Sequence, residues 1–217
     1  MKHIQGVIFD LDGVIVDTAK YHFIAWKRLA NELGVDFDET FNEQLKGVSR
    51  IESLNRILKL GQLERSPEEK EVLTTRKNSW YLEHIDKIGR NEILPGVENF
   101  LQELKSNGYK ICLGSASRSG ARVIELLGLE SFFHDMIDGN RFTQSKPHPE
   151  VFLKGAESMA VAPNSCVVFE DSLAGVEAAK AGGMFCIGVG DGAILKDAHF
   201  TIKSFEEMTL SRFSALN

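Results

Sequence analysis

Four short apolar runs, each closing on a small or acidic residue, constrain this chain more than any other feature. Val7-Ile8-Phe9 runs into Asp10, Ile111-Cys112-Leu113 into Gly114 and Ser115, Val167-Val168-Phe169 into Glu170 and Asp171, and Phe185-Cys186-Ile187 into Gly188. An unbroken apolar run of this length reads as a strand in a sheet covered on both faces. Helical patterns lie between the runs. Val97, Phe100, Leu101 and Leu104 fall at i, i+3, i+4 and i+7 before a stop at Gly108, and Val176 to Ala181 ends at Gly182 and Gly183. Such alternation predicts an α/β fold, a parallel sheet with helices on both faces. In sheets of this kind ligands bind beyond the carboxyl ends of the strands, where the polar residues just named stand.

The stretch from Thr18 to Asn91 has a different texture. Phe23, Trp26, Ala30 and Leu33 share one helical face, and Ile51, Leu54 and Leu58 mark a second helix. Ser66-Pro67-Glu68-Glu69 is a helix start, with Ser as N-cap, Pro at the first helical position and Glu at the third. That helix is expected to run through Trp80 toward Ile88. No strand pattern interrupts the block, so a helical module over 18–91 is read as inserted into a core made of 1–17 and 92–217.

Composition narrows the function. A chain of 217 residues buries enough surface for a core without disulfide or metal staples. Its net charge of -6 argues against nucleic acid and anionic membranes as partners. The apolar runs are too short to span a bilayer. The chain enters its first strand almost at once, so no secretory leader is expected. Cys112, Cys166 and Cys186 sit inside apolar runs without metal-ligand spacing, which fits core thiols in a reducing cytoplasm.

Asp10-Leu11-Asp12-Gly13 follows the first strand and presents two carboxylates at its end. One can attack as a nucleophile while the other serves as general acid or base. Alone, the same four residues could be a turn or part of a calcium loop. Four strand ends are expected to supply, in order, this nucleophile, the Ser115 hydroxyl for a phosphate oxygen, the fixed positive charge of Lys146, and the Glu170 and Asp171 carboxylates for a metal. Each has a plainer reading as a solvated loop or helix cap, but their joint order makes those readings weak.

In this set of motifs the chain resembles the haloacid dehalogenase-like superfamily across essentially its whole length, and the inserted helices resemble that superfamily's small helical cap. The resemblance implies a Rossmann-like core. It implies that Asp10 attacks phosphorus to form an aspartyl phosphate and that Asp12 protonates and deprotonates the exchanging oxygens. It also implies Mg²⁺ held by Asp10, the Asp12 backbone carbonyl and Asp171, with Glu170 in or near the shell. Phosphoryl transfer needs in-line placement and charge neutralisation, which Mg²⁺, Lys146 and Ser115 can supply.

Cap segments resemble the mutases of that superfamily that interconvert β-glucose 1-phosphate and glucose 6-phosphate through glucose 1,6-bisphosphate. The segments are Asp17 to Phe23, Asn42 to Arg50 and Arg76-Lys77-Asn78. On this resemblance Arg50 grips the distal phosphate, and Trp26, Lys46, Gly47, Val48, Ser49, Ser53 and Lys77 face the sugar. His22 assists Asp12, and Ser115, Ala116, Ser117 and Ser119 surround the transferring phosphate. Read without it, Trp26 is more often a core residue, His22 more often a structural histidine, and Lys46 and Arg50 commonly a solvated surface. Lys46-Gly47-Val48-Ser49-Arg50, a small-residue break with two cations, suits an oxyanion clamp better than a core. A monomer acting on small sugar phosphates is expected. The alternatives are a phosphatase with the same core, in which water replaces the second hydroxyl, and a non-enzymatic receiver-like module. Val16, Gly114 and His148 depart from the family pattern, and Asp138 to Gln144 resembles it least.

Overall fold

The computed structural model describes residues 4–215. Six parallel strands form one sheet: β1 (Gly6–Phe9), β2 (Lys110–Gly114), β3 (Asp135–Ile137), β4 (Cys166–Glu170), β5 (Phe185–Val189) and β6 (Phe200–Ile202). Their order is β3-β2-β1-β4-β5-β6, so β1 is central. Phe9 pairs with Leu113 of β2 and with Phe169 of β4. That register brings three strand ends level and sets Asp10, Gly114 and Glu170 side by side.

Side chains alternate across the sheet. Val7 and Phe9 join one apolar cluster and Ile8 the other. On the first face lie α5 (Val97–Ser106), α6 (Gly120–Leu126) and α9 (Leu210–Ser214). Its centre is aromatic: the Phe9 and Phe169 rings stack with centroids 5.0 Å apart, and Phe100, Phe205 and Phe213 close around them. The second face is covered by α7 (Glu150–Ser158) and α8 (Leu173–Ala181). All three cysteines are free and buried.

The segment after β1 forms α1 (Ala19–Glu32), α2 (Glu39–Asn42), α3 (Arg50–Leu60) and α4 (Pro67–Ile85). These helices enclose a third cluster that includes Trp26, Leu29, Leu54, Ile57, Leu58 and Leu73. Ser66 caps α4 as expected, with a reciprocal bond from its own backbone N–H to the Glu69 carboxylate. The helix ends at Ile85 rather than Ile88. Ile51 is exposed, because Leu54, Ile57 and Leu58 carry the buried face of α3.

The chain enters and leaves this helical block through two adjacent crossings. Val16 and Ile93 form an antiparallel bridge. Leu94 N–H donates to Ile15 O at 2.9 Å, and Asp17 N–H donates to Glu92 O at 3.0 Å.

Two expectations need correction. β3 and β6 carry no apolar run, because each is three residues long at a sheet edge with only its last residue buried. Lys146 is not at a strand end; it lies on the long loop between β3 and α7. Among the described residues no helix is long and apolar enough to cross a membrane.

Candidate active site

Asp10 follows β1 directly, its N–H bonded to Phe169 O, with its carboxylate almost fully buried. Lys146 Nζ reaches in from its loop and donates to Asp10 Oδ1 and Glu170 Oε1, each at 2.5 Å. Burial opposes the Lys146 charge, but Asp10 and Glu170 outweigh it and raise the ammonium above its ordinary range. Removing this lysine would leave two buried carboxylates facing each other, a loss of about 3–5 kcal/mol. The other oxygen of Glu170 accepts from Ser172 N–H and Ser172 Oγ, which ties Glu170 to the start of α8. Gly175, one turn into α8, has no room for a Cβ against this carboxylate.

Asp10, Glu170 and Asp171 each bring a carboxylate oxygen within 4.8 Å of the others. Burial raises Asp10 to about 7, with further upward pushes from Glu170 and Asp12 against the pull of Lys146. Asp171 is raised well above the carboxylate range by burial, then by Glu170 and Asp10. Gly13 leaves room for it, since a Cβ there would overlap the Asp171 carboxylate. An all-oxygen set of mutually repelling carboxylates fits a hard divalent cation such as Mg²⁺.

The Asp12 carboxylate faces the helical block instead. Thr18 Oγ1 donates to its Oδ1 at 2.5 Å, and His22 Nε2 lies 3.5 Å from the same oxygen. Lys77 Nζ is 2.7 Å from His22 Nδ1. When Lys77 is an ammonium it can only donate, so Nδ1 then accepts and the ring proton sits on Nε2, toward Asp12. Burial first, then Lys77 and Arg50, hold His22 well below its usual range, so the ring is neutral. Burial also brings Lys77 down to about 7 against the pull of Asp12. Tyr81, one turn beyond Lys77, stacks on His22 with centroids 4.0 Å apart. Lys77 Nζ in turn lies 4.6 Å from the Trp26 ring centroid. Asp12 is raised above the ordinary carboxylate range by burial, against its bond from Thr18. A carboxyl group held above its ordinary range gives up and takes back a proton more evenly than a free one.

A cavity lies between the helices and the sheet. Asp10, Asp12, His22, Trp26, Lys46, Gly47, Val48, Arg50, Ser53, Lys77, Ala116, Ser117 and Asp171 all line it. Ser49, Ser115, Ser119, Lys146 and Glu170 do not. Ser49 caps α3 by accepting Glu52 N–H, and Ser115 Oγ accepts Ser117 N–H at 3.1 Å, shaping the loop that carries Ala116 and Ser117. Ser117 Oγ in turn accepts Ser119 N–H. Lys46 bridges the two halves, with Nζ 3.0 Å from Glu43 and 3.7 Å from Asp171. Gly47 has φ +71°, and a Cβ there would overlap Ser172 Oγ, so this loop rests directly on the start of α8.

Sequence reading missed Thr18, Tyr81 and Arg118. Arg118 lines the cavity and its charge, after burial, helps push the Arg50 guanidinium below its ordinary range. Tyr81 had a signal, four residues after Lys77 on one helical face.

The chain matches the family model of haloacid dehalogenase-like hydrolases over residues 7–189 and belongs to that family. The chain is an enzyme, as its likeness to the relatives that follow shows. A β-phosphoglucomutase of Bacillus subtilis is 41% identical over 208 residues, covering 95% of this chain and 92% of that one. The crystal structure of a β-phosphoglucomutase from Clostridium difficile has a TM-score of 0.93 and 43% identity, covering 98% of this chain and 96% of its own. A phosphorylated carbohydrates phosphatase of Thermotoga maritima is 33% identical over 183 residues, covering 83% and 82%.

Proposed function

We propose that this enzyme is a sugar-phosphate mutase that interconverts β-glucose 1-phosphate and glucose 6-phosphate. The observation that carries this reading is a cavity with a carboxylate end that bears the nucleophile and a second, cationic end. Asp10 and its neighbours form one end, and Arg50 with Arg118 forms another charged region facing the same space. A hydrolase needs only the first; a bisphosphate intermediate needs both. The likeness to two β-phosphoglucomutases supports the same assignment.

Residues 18–91 serve as the cap in this reading. Asp10 carries a phosphoryl group and passes it to a hydroxyl of bound β-glucose 1-phosphate. Asp12 takes the proton of that hydroxyl, oriented by Thr18 and by the Lys77–His22 pair. The product, β-glucose 1,6-bisphosphate, turns over in the cavity while Arg50 and Arg118 hold the phosphate that is not reacting. Asp10 then accepts the 1-phosphate, Asp12 returns a proton to the leaving oxygen, and glucose 6-phosphate remains. Lys146 keeps Asp10 aligned and offsets negative charge as the bond to phosphorus forms. Asp10, Asp171 and Glu170, with the Asp12 backbone carbonyl, would hold Mg²⁺. When bound it adds positive charge beside the transferring group. Water must be kept from the aspartyl phosphate, and the Gly47 loop seated on Ser172 with Lys46 beside Asp171 supports that role. Buried free thiols are consistent with a reducing cytoplasm.

The test is incubation of β-glucose 1-phosphate with Mg²⁺ and a trace of the bisphosphate, following glucose 6-phosphate against free phosphate. Glucose 6-phosphate is expected to dominate. Phosphate release without isomerisation would assign the protein to the phosphatases instead.

A further inference from the structure

Lys146 is the cation that joins Asp10 to Glu170, yet the loop that delivers it has little apolar anchorage. Between Gly139 and Ser145 no residue is fully buried. Phe142 alone packs partly against the core. Polar bonds must therefore fix the path of this loop. At its start, Gly139 N–H donates to Ser117 O at 3.0 Å and Asn140 Nδ2 donates to Arg118 O at 2.8 Å. At its end the bonds converge on one side chain, Glu150, in the first turn of α7. Thr143 N–H, Thr143 Oγ1 and Gln144 N–H all donate to the Glu150 carboxylate, at 3.2, 3.1 and 2.8 Å. Lys154, one turn on, bonds both Glu150 at 3.2 Å and Arg141 O at 2.7 Å.

We infer that Glu150 is a positioning residue for phosphoryl transfer, holding the 143–144 backbone so that Lys146 arrives between Asp10 and Glu170. This depends on Asp10 being the phosphoryl carrier, as proposed above. Gln144 is two residues from Lys146, a backbone span of at most about 7 Å, so little slack separates anchor from ammonium. An exposed ion pair such as Glu150–Lys154 stabilises little by itself. A carboxylate accepting consecutive backbone amides is different, because those bonds are charge-assisted and fix direction. The amide of Gln144, then that of Thr143, hold the Glu150 carboxyl down to about 2, so it stays ionised throughout the working range. The sheet does not need this contact; the lysine's address does.

The test is a double-mutant cycle between Glu150→Ala and Lys146→Met, read as hydrolysis of p-nitrophenyl phosphate and as isomerisation of β-glucose 1-phosphate. A displacement of about 1 Å at a reacting group can lower rate about 10²-fold. Glu150→Ala alone is expected to lower kcat at least about tenfold with KM within about twofold, on that scale. Glu150→Gln, which keeps one acceptor, should fall between. In the Lys146→Met background Glu150→Ala should lower kcat no further, because residues acting as a unit are non-additive. An equal fold-loss in both backgrounds would mean a structural role and overturn the inference, as would an unchanged kcat in the single variant. If Lys146→Met does not fold, Lys146→Arg replaces it, and a loss as large as in the wild type again overturns it. Wild-type protein that cleaves the ester without isomerising sugar refutes the mutase alone, and the cycle still reads on the ester. Protein inactive on both substrates refutes mutase and positioning together.

Discussion

At Gly47 a single methyl group should separate isomerisation from hydrolysis. The residue adopts φ +71°, and a Cβ would overlap Ser172 Oγ. The left-handed backbone costs an L residue roughly 1 kcal/mol wherever the cap sits. In the proposed cycle the cap leaves its seat between turnovers, and the overlap exists only while it is seated. Ser172 Oγ cannot simply turn away, because it donates to Glu170 Oε2 at 2.8 Å and accepts Gly175 N–H at 3.1 Å. Giving up both bonds costs about 2 kcal/mol at about 1 kcal/mol each. By the rule of tenfold per 1.36 kcal/mol, the seated state of Gly47→Ala should fall about 30-fold. The assay follows glucose 6-phosphate and free phosphate together from β-glucose 1-phosphate. Isomerisation should drop by that factor, while phosphate release per turnover rises because water now reaches the aspartyl phosphate. Wild-type isomerisation, or an equal fall in both products, would show that the Gly47–Ser172 contact does not seal the site.

Asp10→Asn should abolish both isomerisation and hydrolysis, checked by initial rates and by loss of phosphate label on the protein. Arg50→Ala should lower isomerisation by at least about tenfold, as expected for losing one charge-assisted contact of about 1.5–3 kcal/mol. Hydrolysis of p-nitrophenyl phosphate should stay within about twofold, because the acceptor end alone is damaged. Mg²⁺ at about 100 times its dissociation constant should stabilise the fold by about 2.7 kcal/mol, measured as a rise in Tm that Asp171→Asn removes. That rise should shrink as pH falls through about 7, where Asp10 takes up a proton, and be largest above it. The sign follows because raised carboxylates bind protons in competition with the metal, so acid favours the metal-free form.

What could be read from the sequence followed burial. β1, β2, β4 and β5 were legible because both faces of each are covered, leaving near-continuous apolar runs. β3 and β6 were not, since edge strands of three residues with one buried position carry no periodic signal. The Ser66 capping box was legible because a cap is local chemistry. Ile51 misled because three apolar residues at helical spacing do not say which side of α3 meets the core. At the site, Asp10, Asp12 and Glu170-Asp171 stood out as acidic residues ending apolar strands. Tyr81, Thr18 and Arg118 did not, since a tyrosine or an arginine becomes part of a site only through what the tertiary fold sets opposite it. Glu150 was hidden for a related reason: its partners are backbone amides, which have no letter in a sequence.

The paired crossings at Val16 and Ile93 have a mechanical meaning. A block hung on one flexible strand could translate and spin in any direction, and would have to search for its seat after each turnover. Here two antiparallel segments, bonded as Asp17 to Glu92 and Leu94 to Ile15, leave side by side. Whatever displaces one must bend the other by the same amount. Helices α1 to α4 are therefore joined to the sheet as by a door's pin, through two bonded segments rather than one free strand. In the proposed mutase cycle, a swing about these crossings that admitted a sugar would carry Gly47 back onto Ser172.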